Sequence, residues 1–425
     1  MNLSSPYTAY TYSYPHKTAY RPMSPRPLAD VWANEPTDNL FLYIHIPFCE
    51  MRCGFCNLFT TTNPAESLTT RYLDALWRQA ETVRAALPSA NIAQVAIGGG
   101  TPTYLEADEL RRVLAIATDI FGVDLHNVPV SAETSPQTAT PERLALLHES
   151  GIDRISIGVQ SFVKLELNGI GRPQRNPIVE QALENLRFFT TRNIDLIYGN
   201  PHQTEASWLD SLRRALEIEP EQLYLYPLYV RPLTGMSRMR QAFDDLRLAL
   251  YRCGRDLLLA NGYEQRTMRL FQRTDHAPQT NAQYACQQDG MIGLGCGARS
   301  YTDGLHYSSE YAVGRTSVRD ILHAWVDRDF AHVDYGFALN ADEQRRRYLL
   351  KSLLSADGLD NRQFSARFGD APDVCFPQLH QLADYVGQNG DMWRLTAKGL
   401  EWSDALGPLF YSDNVKALSA EFDLT

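Results

Sequence analysis

From about residue 40 to residue 260 the chain alternates between short β-rich runs and helical patterns, and this alternation limits it to very few folds. The runs are FLYIHI (Phe41–Ile46), QVAIG (Gln94–Gly98), VPVSAE (Val128–Glu133), RISIGVQ (Arg154–Gln160), IDLIYG (Ile194–Gly199) and QLYLYPLY (Gln222–Tyr229). Between the first two, Leu68, Tyr72, Leu76, Ala80, Val83 and Leu87 recur every three or four residues, one apolar helix face that ends at Pro88. Thr140-Pro141 reads as N-cap and first residue of another helix, which Gly151 closes. Strands joined by helical crossovers lie parallel. Six units predict an α/β fold, an open, partial (β/α)6 version of the eight-unit TIM barrel. A doubly wound open sheet is the alternative.

The 425 residues divide by character into a Tyr/Pro-rich N-terminal segment (1–39), the barrel (40–260), a less regular extension and connecting region (261–340) and a C-terminal part (341–425). The N-terminal segment has five tyrosines in its first twenty residues. It reads either as a disordered tail or as an arm laid over the body, since tyrosine suits a half-buried strap better than solvated coil. The C-terminal part places helical patterns before NGDMWRLTAKGL, the order of a small helical, winged-helix-like domain. Winged folds often bind DNA, but a net charge of -10 without a basic run argues against nucleic acid and favours a packing or lid role. The longest apolar stretch, Leu223 to Val230, holds a proline and three tyrosines, so no membrane span is expected. The N-terminus lacks a basic start and an apolar core, so no secretory signal is expected either. Seven cysteines, an odd number and four of them scattered, are not a disulfide framework. The expected location is the cytoplasm, where clustered thiols serve metals or catalysis.

Cys49, Cys53 and Cys56 form C-x3-C-x2-C. Three close thiolates hold three corners of a 4Fe-4S cube and leave one iron open. An amine and a carboxylate can chelate that iron, and S-adenosylmethionine (SAM) carries both beside its sulfonium. An electron from the cluster would then cleave the sulfonium to a 5′-deoxyadenosyl radical. The alternative is a zinc knuckle completed by His45 or a distant ligand. IGGGTPTYL (Ile97–Leu105) sets three glycines between a strand and a helix, where backbone N–H groups can approach a ligand. Glu133, Gln160 and Asp195 fall at or near predicted strand C-termini, the end of a parallel barrel that carries its site.

YIHIPFCEMRCGFC, GGGTPT, SIGVQSF, Gly171-Arg172 and IDLIYGNPHQT together resemble the radical SAM enzymes of the oxygen-independent coproporphyrinogen III oxidase family. The likeness covers roughly residues 40–235 and extends more weakly through GYEQ and GLGCGARSY. It implies that Cys49, Cys53 and Cys56 ligate the cluster. It also places Tyr43, Phe55, Gly99, Gly100, Thr101, Glu133, Gln160, Arg172 and Asp195 where SAM contacts are expected. Some members hold a second SAM, so one or two molecules are expected here. The resemblance further implies a small-molecule substrate with tetrapyrroles among the candidates, and an electron donor of the flavodoxin or ferredoxin type.

Three departures bear on the branch. The oxidases show a further cysteine two residues after the third, where this chain has Leu58. Haem-chaperone members carry HNxxYW, and the corresponding TNAQYA (Thr280–Ala285) lacks both the histidine and the tryptophan. Arg299, in GLGCGARSY, stands where relatives commonly have histidine or an apolar residue. Its planar fork suits a substrate carboxylate; the alternative role is a salt bridge between barrel and C-terminal domain. The expected activity is oxidative decarboxylation or methyl transfer on a tetrapyrrole or other small organic substrate. The rival is a haem or tetrapyrrole carrier with a non-catalytic cluster, for which Cys296 and His306 are the candidate iron ligands.

Overall fold

The computed structural model describes residues 3–11, 13–238, 245–276 and 284–425. One 13-stranded sheet dominates it. Numbered along the chain, its strands are β1 (Arg21–Pro27), β2 (Leu40–Ile46), β3 (Ile92–Gly99), β4 (Val130–Thr134), β5 (Arg154–Gln160), β6 (Thr191–Tyr198) and β7 (Gln222–Pro227). The remainder are β8 (Tyr263–Gln265), β9 (Leu270–Arg273), β10 (Met291–Leu294), β11 (Arg299–Tyr301), β12 (Leu305–Ser308) and β13 (His332–Ala338). Their spatial order is β1-β13-β12-β11-β10-β2-β3-β4-β5-β6-β7-β9-β8.

β2 to β7 are the six expected strands, adjacent in chain order and parallel throughout. A doubly wound sheet would reverse its order at a switch point, and this one does not, so the partial barrel is the observed architecture. β2, β3 and β6 begin one to three residues ahead of the expected runs, at Leu40, Ile92 and Thr191. β4 begins later, at Val130, because Pro129 before it has no N–H to donate to a ladder.

Side chains alternate across this sheet. Leu42, Ile44, Val95, Ile97, Ile155, Ile157, Leu196 and Leu225 point to the helical layer and are almost fully buried. Helix Glu66–Ala86 meets them with Leu68, Tyr72, Leu76, Ala80 and Val83, the face read from the periodicity. Each buried leucine or isoleucine contributes about 1.5–3 kcal/mol. The opposite face is small or polar, and register lines up Tyr43 with Ala96, Glu133 with Ser156, Gly158 with Asp195, and Asp195 with Tyr224. Solvent reaches that face at Glu133, which is exposed, and at Tyr43, Asp195 and Tyr224, which are partly exposed. Thr140 caps helix Pro141–Glu149 through its side chain, as its position predicted.

β10 extends the barrel by pairing parallel to β2. β11, β12 and β13 follow antiparallel, and β1 pairs along β13. The N-terminal segment is an arm over the body, with Tyr7, Tyr14 and Tyr20 buried. Tyr14 donates from its hydroxyl to Glu343, and the Thr11 N–H donates to Asp404 Oδ1 at 3.1 Å. The C-terminal part carries a three-stranded antiparallel sheet of Leu359–Asp360, Met392–Leu395 and Val386–Asn389, the last two forming the wing-like hairpin. Its core of Leu349, Phe364, Phe376 and Phe410 also takes in Tyr14 and Tyr20 of the arm and Phe337 of β13. Among the described residues no helix is long and apolar enough to cross a membrane.

Candidate functional site

The loop after β2 carries the three cysteines at the C-terminal end of the barrel. Backbone bonds from three directions hold it. Phe48–Cys49 pairs with Thr61–Thr62 as a short parallel ladder. The Gly54 N–H donates to Ile170 O at 3.0 Å, and the Met236 N–H donates to Gly54 O at 2.8 Å. A Cβ at Gly54 would lie 2.7 Å from Ile170 O, so this approach needs glycine. The glycine turn after β3 is stitched to the same loop: Gly100 N–H donates to Ile46 O and Thr101 N–H to Phe48 O, both at 2.8 Å. Gly99 has φ +116, and a Cβ at Gly100 would lie 2.9 Å from Cys49 Sγ. The second and third glycines thus bring the turn against the cysteine loop, which a larger residue would prevent.

Each thiol has a polar neighbour. Thr101 Oγ1 lies 3.6 Å from Cys49 Sγ, Arg172 Nη1 donates to Cys53 Sγ at 2.9 Å, and Thr60 Oγ1 lies 3.9 Å from Cys56 Sγ. Burial, then the neighbouring thiols, pushes Cys49 above the ordinary thiol range, and burial raises Cys56. The iron of a cluster would supply the positive charge that favours the thiolate form at Cys49 and Cys56. Among the described residues no three His, Cys, Asp or Glu side chains gather as a single-ion site. His45 does not complete a zinc knuckle: its Nε2 lies 3.1 Å from Phe59 O and its Nδ1 3.1 Å from Tyr43 Oη. A carbonyl only accepts, so Nε2 carries the proton and Tyr43 donates to Nδ1.

Glu133 and Asp195 stand on the solvent-reached barrel face. Glu133 Oε2 accepts the Gly99 N–H at 2.9 Å, and a Cβ at Gly98 would lie 2.9 Å from the same oxygen. Solvent reaches Glu133 although protein surrounds it. Enclosure raises its pKa to about 7, against the Gly99 hydrogen bond and with a smaller push from Asp195. Asp195 accepts from Asn193 Nδ2 at 2.7 Å and from Ser156 Oγ at 3.3 Å, and burial raises it to about 6. Gln160 ends β5 with φ +70, a left-handed backbone that glutamine rarely adopts, beside the register shift between Gly158 and Gln160. Arg172 is buried and joins Cys53 to Gly158 O, the latter at 2.7 Å. Phe55 packs at the edge of a small cluster of Leu167, Ile170, Ile197, Leu228 and Met236.

The structure therefore gathers Cys49, Cys53, Cys56, Gly99, Gly100, Thr101, Glu133 and Arg172 through direct contacts. Gln160 ends its strand beside them, and Asp195 and Tyr43 lie farther back along β6 and β2 on the face that carries Glu133. Arg299 lies on β11, where its Nη1 donates to Ser13 Oγ of the arm at 2.8 Å. The sequence reading missed Lys17, buried with its Nζ donating to Gly297 O. Burial, then Arg299, lowers its pKa to about 7. Its signal was a lone His-Lys pair inside a tyrosine-rich arm. Cys296 is buried with Sγ 3.9 Å from Ser309 Oγ, and His306 is buried against Tyr301, ring centroids 4.3 Å apart. Thr280 to Gln283 of the TNAQYA stretch lie outside the described residues.

The Radical SAM superfamily profile matches residues 43–215. The oxygen-independent coproporphyrinogen III oxidase of Cereibacter sphaeroides is 28% identical over 404 residues, 87% of this chain and 88% of that protein. The haem chaperone HemW of Synechocystis sp. is 30% identical over 298 residues, 67% of this chain and 70% of that one. The solved coproporphyrinogen III oxidase (HemN) of Escherichia coli superposes with a TM-score of 0.82 at 24% identity, covering 94% of this chain and 96% of that one. The thiol loop, the glycine turn and the parallel barrel define a radical SAM protein, whose cofactors are a 4Fe-4S cluster and SAM. Within that superfamily the chain belongs to the family that includes the oxygen-independent coproporphyrinogen III oxidases and HemW.

Proposed function

We propose that this chain is a radical SAM enzyme acting on a carboxylated tetrapyrrole or similar small organic substrate, by oxidative decarboxylation or methyl transfer. One observation carries the reading: two carboxylates, Glu133 and Asp195, stand on one solvent-reached barrel face, Glu133 bonded to the glycine turn that packs on Cys49.

Cys49, Cys53 and Cys56 would hold the cluster, with Gly99, Gly100 and Thr101 under the methionyl part of SAM. When bound, the pair supplies a 5′-deoxyadenosyl radical. The chain's own residues bind and orient. Glu133 is fixed by the Gly99 N–H and offers its second oxygen to ribose or amine donors, and Asp195, held by Asn193 and Ser156, offers the same. Tyr43 is oriented by its hydrogen bond to His45. Arg172 brings positive charge to Cys53, and Phe55 adds an apolar wall that excludes water. Arg299 presents a cation where barrel and arm meet and would receive a substrate carboxylate.

The carrier reading needs an axial ligand that haem iron can reach. Cys296 and His306 are both buried, although neither ring nitrogen of His306 has a hydrogen-bond partner. The deciding experiment is anaerobic: reconstituted protein, reductant, SAM and a tetrapyrrole panel, read by mass spectrometry, with haem titration in parallel. A SAM-dependent mass change in one tetrapyrrole supports the enzyme. Tight haem binding with every panel member recovered unchanged would replace it with the carrier.

A further inference from the structure

The sheet runs on past the barrel with one continuous face. Phe41 is in register with Met291, Met291 with Tyr301 and Tyr301 with His306. Tyr301 and His306 therefore stand on the face that carries Tyr43 and Glu133. His306 is 1% exposed, and its ring lies against Tyr301, centroids 4.3 Å apart. Neither ring nitrogen has a hydrogen-bond partner among the described residues. Buried polar groups are as a rule paired, and a neutral imidazole has one donor and one acceptor to satisfy. Burial, then Arg347, keeps the ring neutral by pushing it well below the ordinary imidazole range.

The surroundings of this histidine are positive. The guanidinium carbons of Arg347 and Arg299 lie 5.7 and 5.6 Å from the Tyr301 ring centroid. Lys351 follows Arg347 by one turn of helix Ala341–Leu353. These three are the charged groups that act on His306, and no carboxylate stands among them. Arg347 is buried and donates to the Gln287 and Cys286 carbonyls, each at 2.9 Å, which carry no net charge to offset its own. The arginines near it pair, Arg346 with Asp342 and Arg367 with Asp303, whereas among the described residues Arg347 forms no ion pair. Asp289 feels the charge of Arg347, but its Oδ2 already accepts from Asn39 and from the Ala285 N–H. A buried cation without a counter-charge is costly, and a chain of net charge -10 has carboxylates to spare. Arg299, Tyr301 and Lys351 are partly exposed, so a solute can reach this face.

We propose that His306 and Arg347, on either side of the Tyr301 ring and with Arg299 and Lys351 adding charge, form a binding site for an oxyanion, a carboxylate or a phosphate. The anion accepts N–H bonds from Arg347 and His306 and supplies the negative charge that the cluster of cations lacks. A water would pair with the histidine and leave the arginine charge unmatched. Two sources offer the same chemistry: an acid group on the substrate, or a free oxyanion that pins helix Ala341–Leu353 to the barrel sheet. The site requires neither the iron–sulfur cluster nor SAM cleavage.

The test titrates cluster-loaded protein, without reductant or SAM, with inorganic phosphate and with succinate, ionic strength being held constant with chloride. Both should bind saturably and raise the melting temperature. His306→Phe and Arg347→Met should each weaken binding at least tenfold, while Arg362→Met, at an exposed arginine elsewhere, should stay within about twofold of wild type. His306→Phe also guards against misfolding: it leaves no unpaired ring nitrogen, so its anion-free melting temperature should equal or exceed that of wild type. Competition separates the two sources. A porphyrin tetracarboxylate that displaces phosphate, when its methyl ester does not, assigns the site to an acid group of the substrate; phosphate retained against both assigns it to a free oxyanion. The proposal falls if phosphate and succinate do no more than chloride, or if both variants bind them as tightly as wild type. Failure of the enzymatic reading would look different: anions bound at this site, and no 5′-deoxyadenosine from any reductant.

Discussion

Replacing Glu133 with glutamine keeps its shape and its hydrogen bond to Gly99, since an amide oxygen can still accept that N–H at 2.9 Å. Only the charge is lost. A hydrogen bond to a charged group contributes about 1.5–3 kcal/mol and a neutral one about 1. The loss is the difference between the two, about 0.5–2 kcal/mol, and because solvent reaches Glu133 it falls toward the lower part, about 0.5–1 kcal/mol or roughly two- to fivefold in SAM affinity. Because enclosure raises the Glu133 pKa from 4.5 to about 7, SAM must also compete with a proton. Wild-type affinity should climb by up to that same factor between pH 6 and a plateau above pH 8, and Glu133→Gln should be nearly flat over that range. Stability runs the other way. A carboxyl with a raised folded pKa binds more protons folded than unfolded between those two values, so the ligand-free protein loses stability as pH rises from about 4.5 through 7. Glu133→Gln should lessen that loss. Equilibrium binding of SAM to cluster-loaded protein at pH 6, 7 and 8, with urea melts alongside, measures both. Wild-type affinity that ignores pH, or a variant as tight as wild type at pH 8, would refute the reasoning.

Anaerobically reconstituted protein should carry about four irons and four sulfides per chain; alanine at Cys49, Cys53 or Cys56 should abolish them, and alanine at Cys253 or Cys375 should not. Asp404 is fully buried, pairs with Arg269 and accepts from Tyr229 Oη at 2.6 Å, so Asp404→Ala leaves a buried arginine unpaired and should cost about 3–5 kcal/mol in a denaturant melt. Arg299→Gln should lower substrate-stimulated turnover at least tenfold, about 1.4 kcal/mol, with cluster content and melting unchanged. Ser13→Ala removes the Arg299–Ser13 bond but keeps the charge, and it should leave turnover near wild type; a large loss there would make Arg299 a strut for the arm.

The parts legible in the sequence are those whose signal is local. β2 to β7 each place apolar residues toward a helix layer, and each is followed by a turn or cap that punctuates it. The cysteines and glycines lie in two unbroken motifs, and their contact follows once β2 and β3 are neighbours. β10, β11 and β12 were not legible because they are only three or four residues long and show no clean alternation. Their place is decided by pairing to β2 and to one another, a tertiary effect that outweighs strand propensity. Lys17 reaches Gly297 across 280 residues, a contact no local pattern announces. His45 was readable as a metal ligand by type alone; only the positions of Phe59 O and Tyr43 Oη assign its tautomer and its role.

The central claim is that this site binds SAM and opens it reductively. The most direct measurement is 5′-deoxyadenosine released by anaerobically reconstituted protein given dithionite and SAM, quantified by chromatography against the Cys53→Ala variant. The account predicts slow but steady formation by wild type without added substrate, and none by the variant. An intact cluster in wild type, with SAM recovered unchanged and no 5′-deoxyadenosine above the variant, would contradict it.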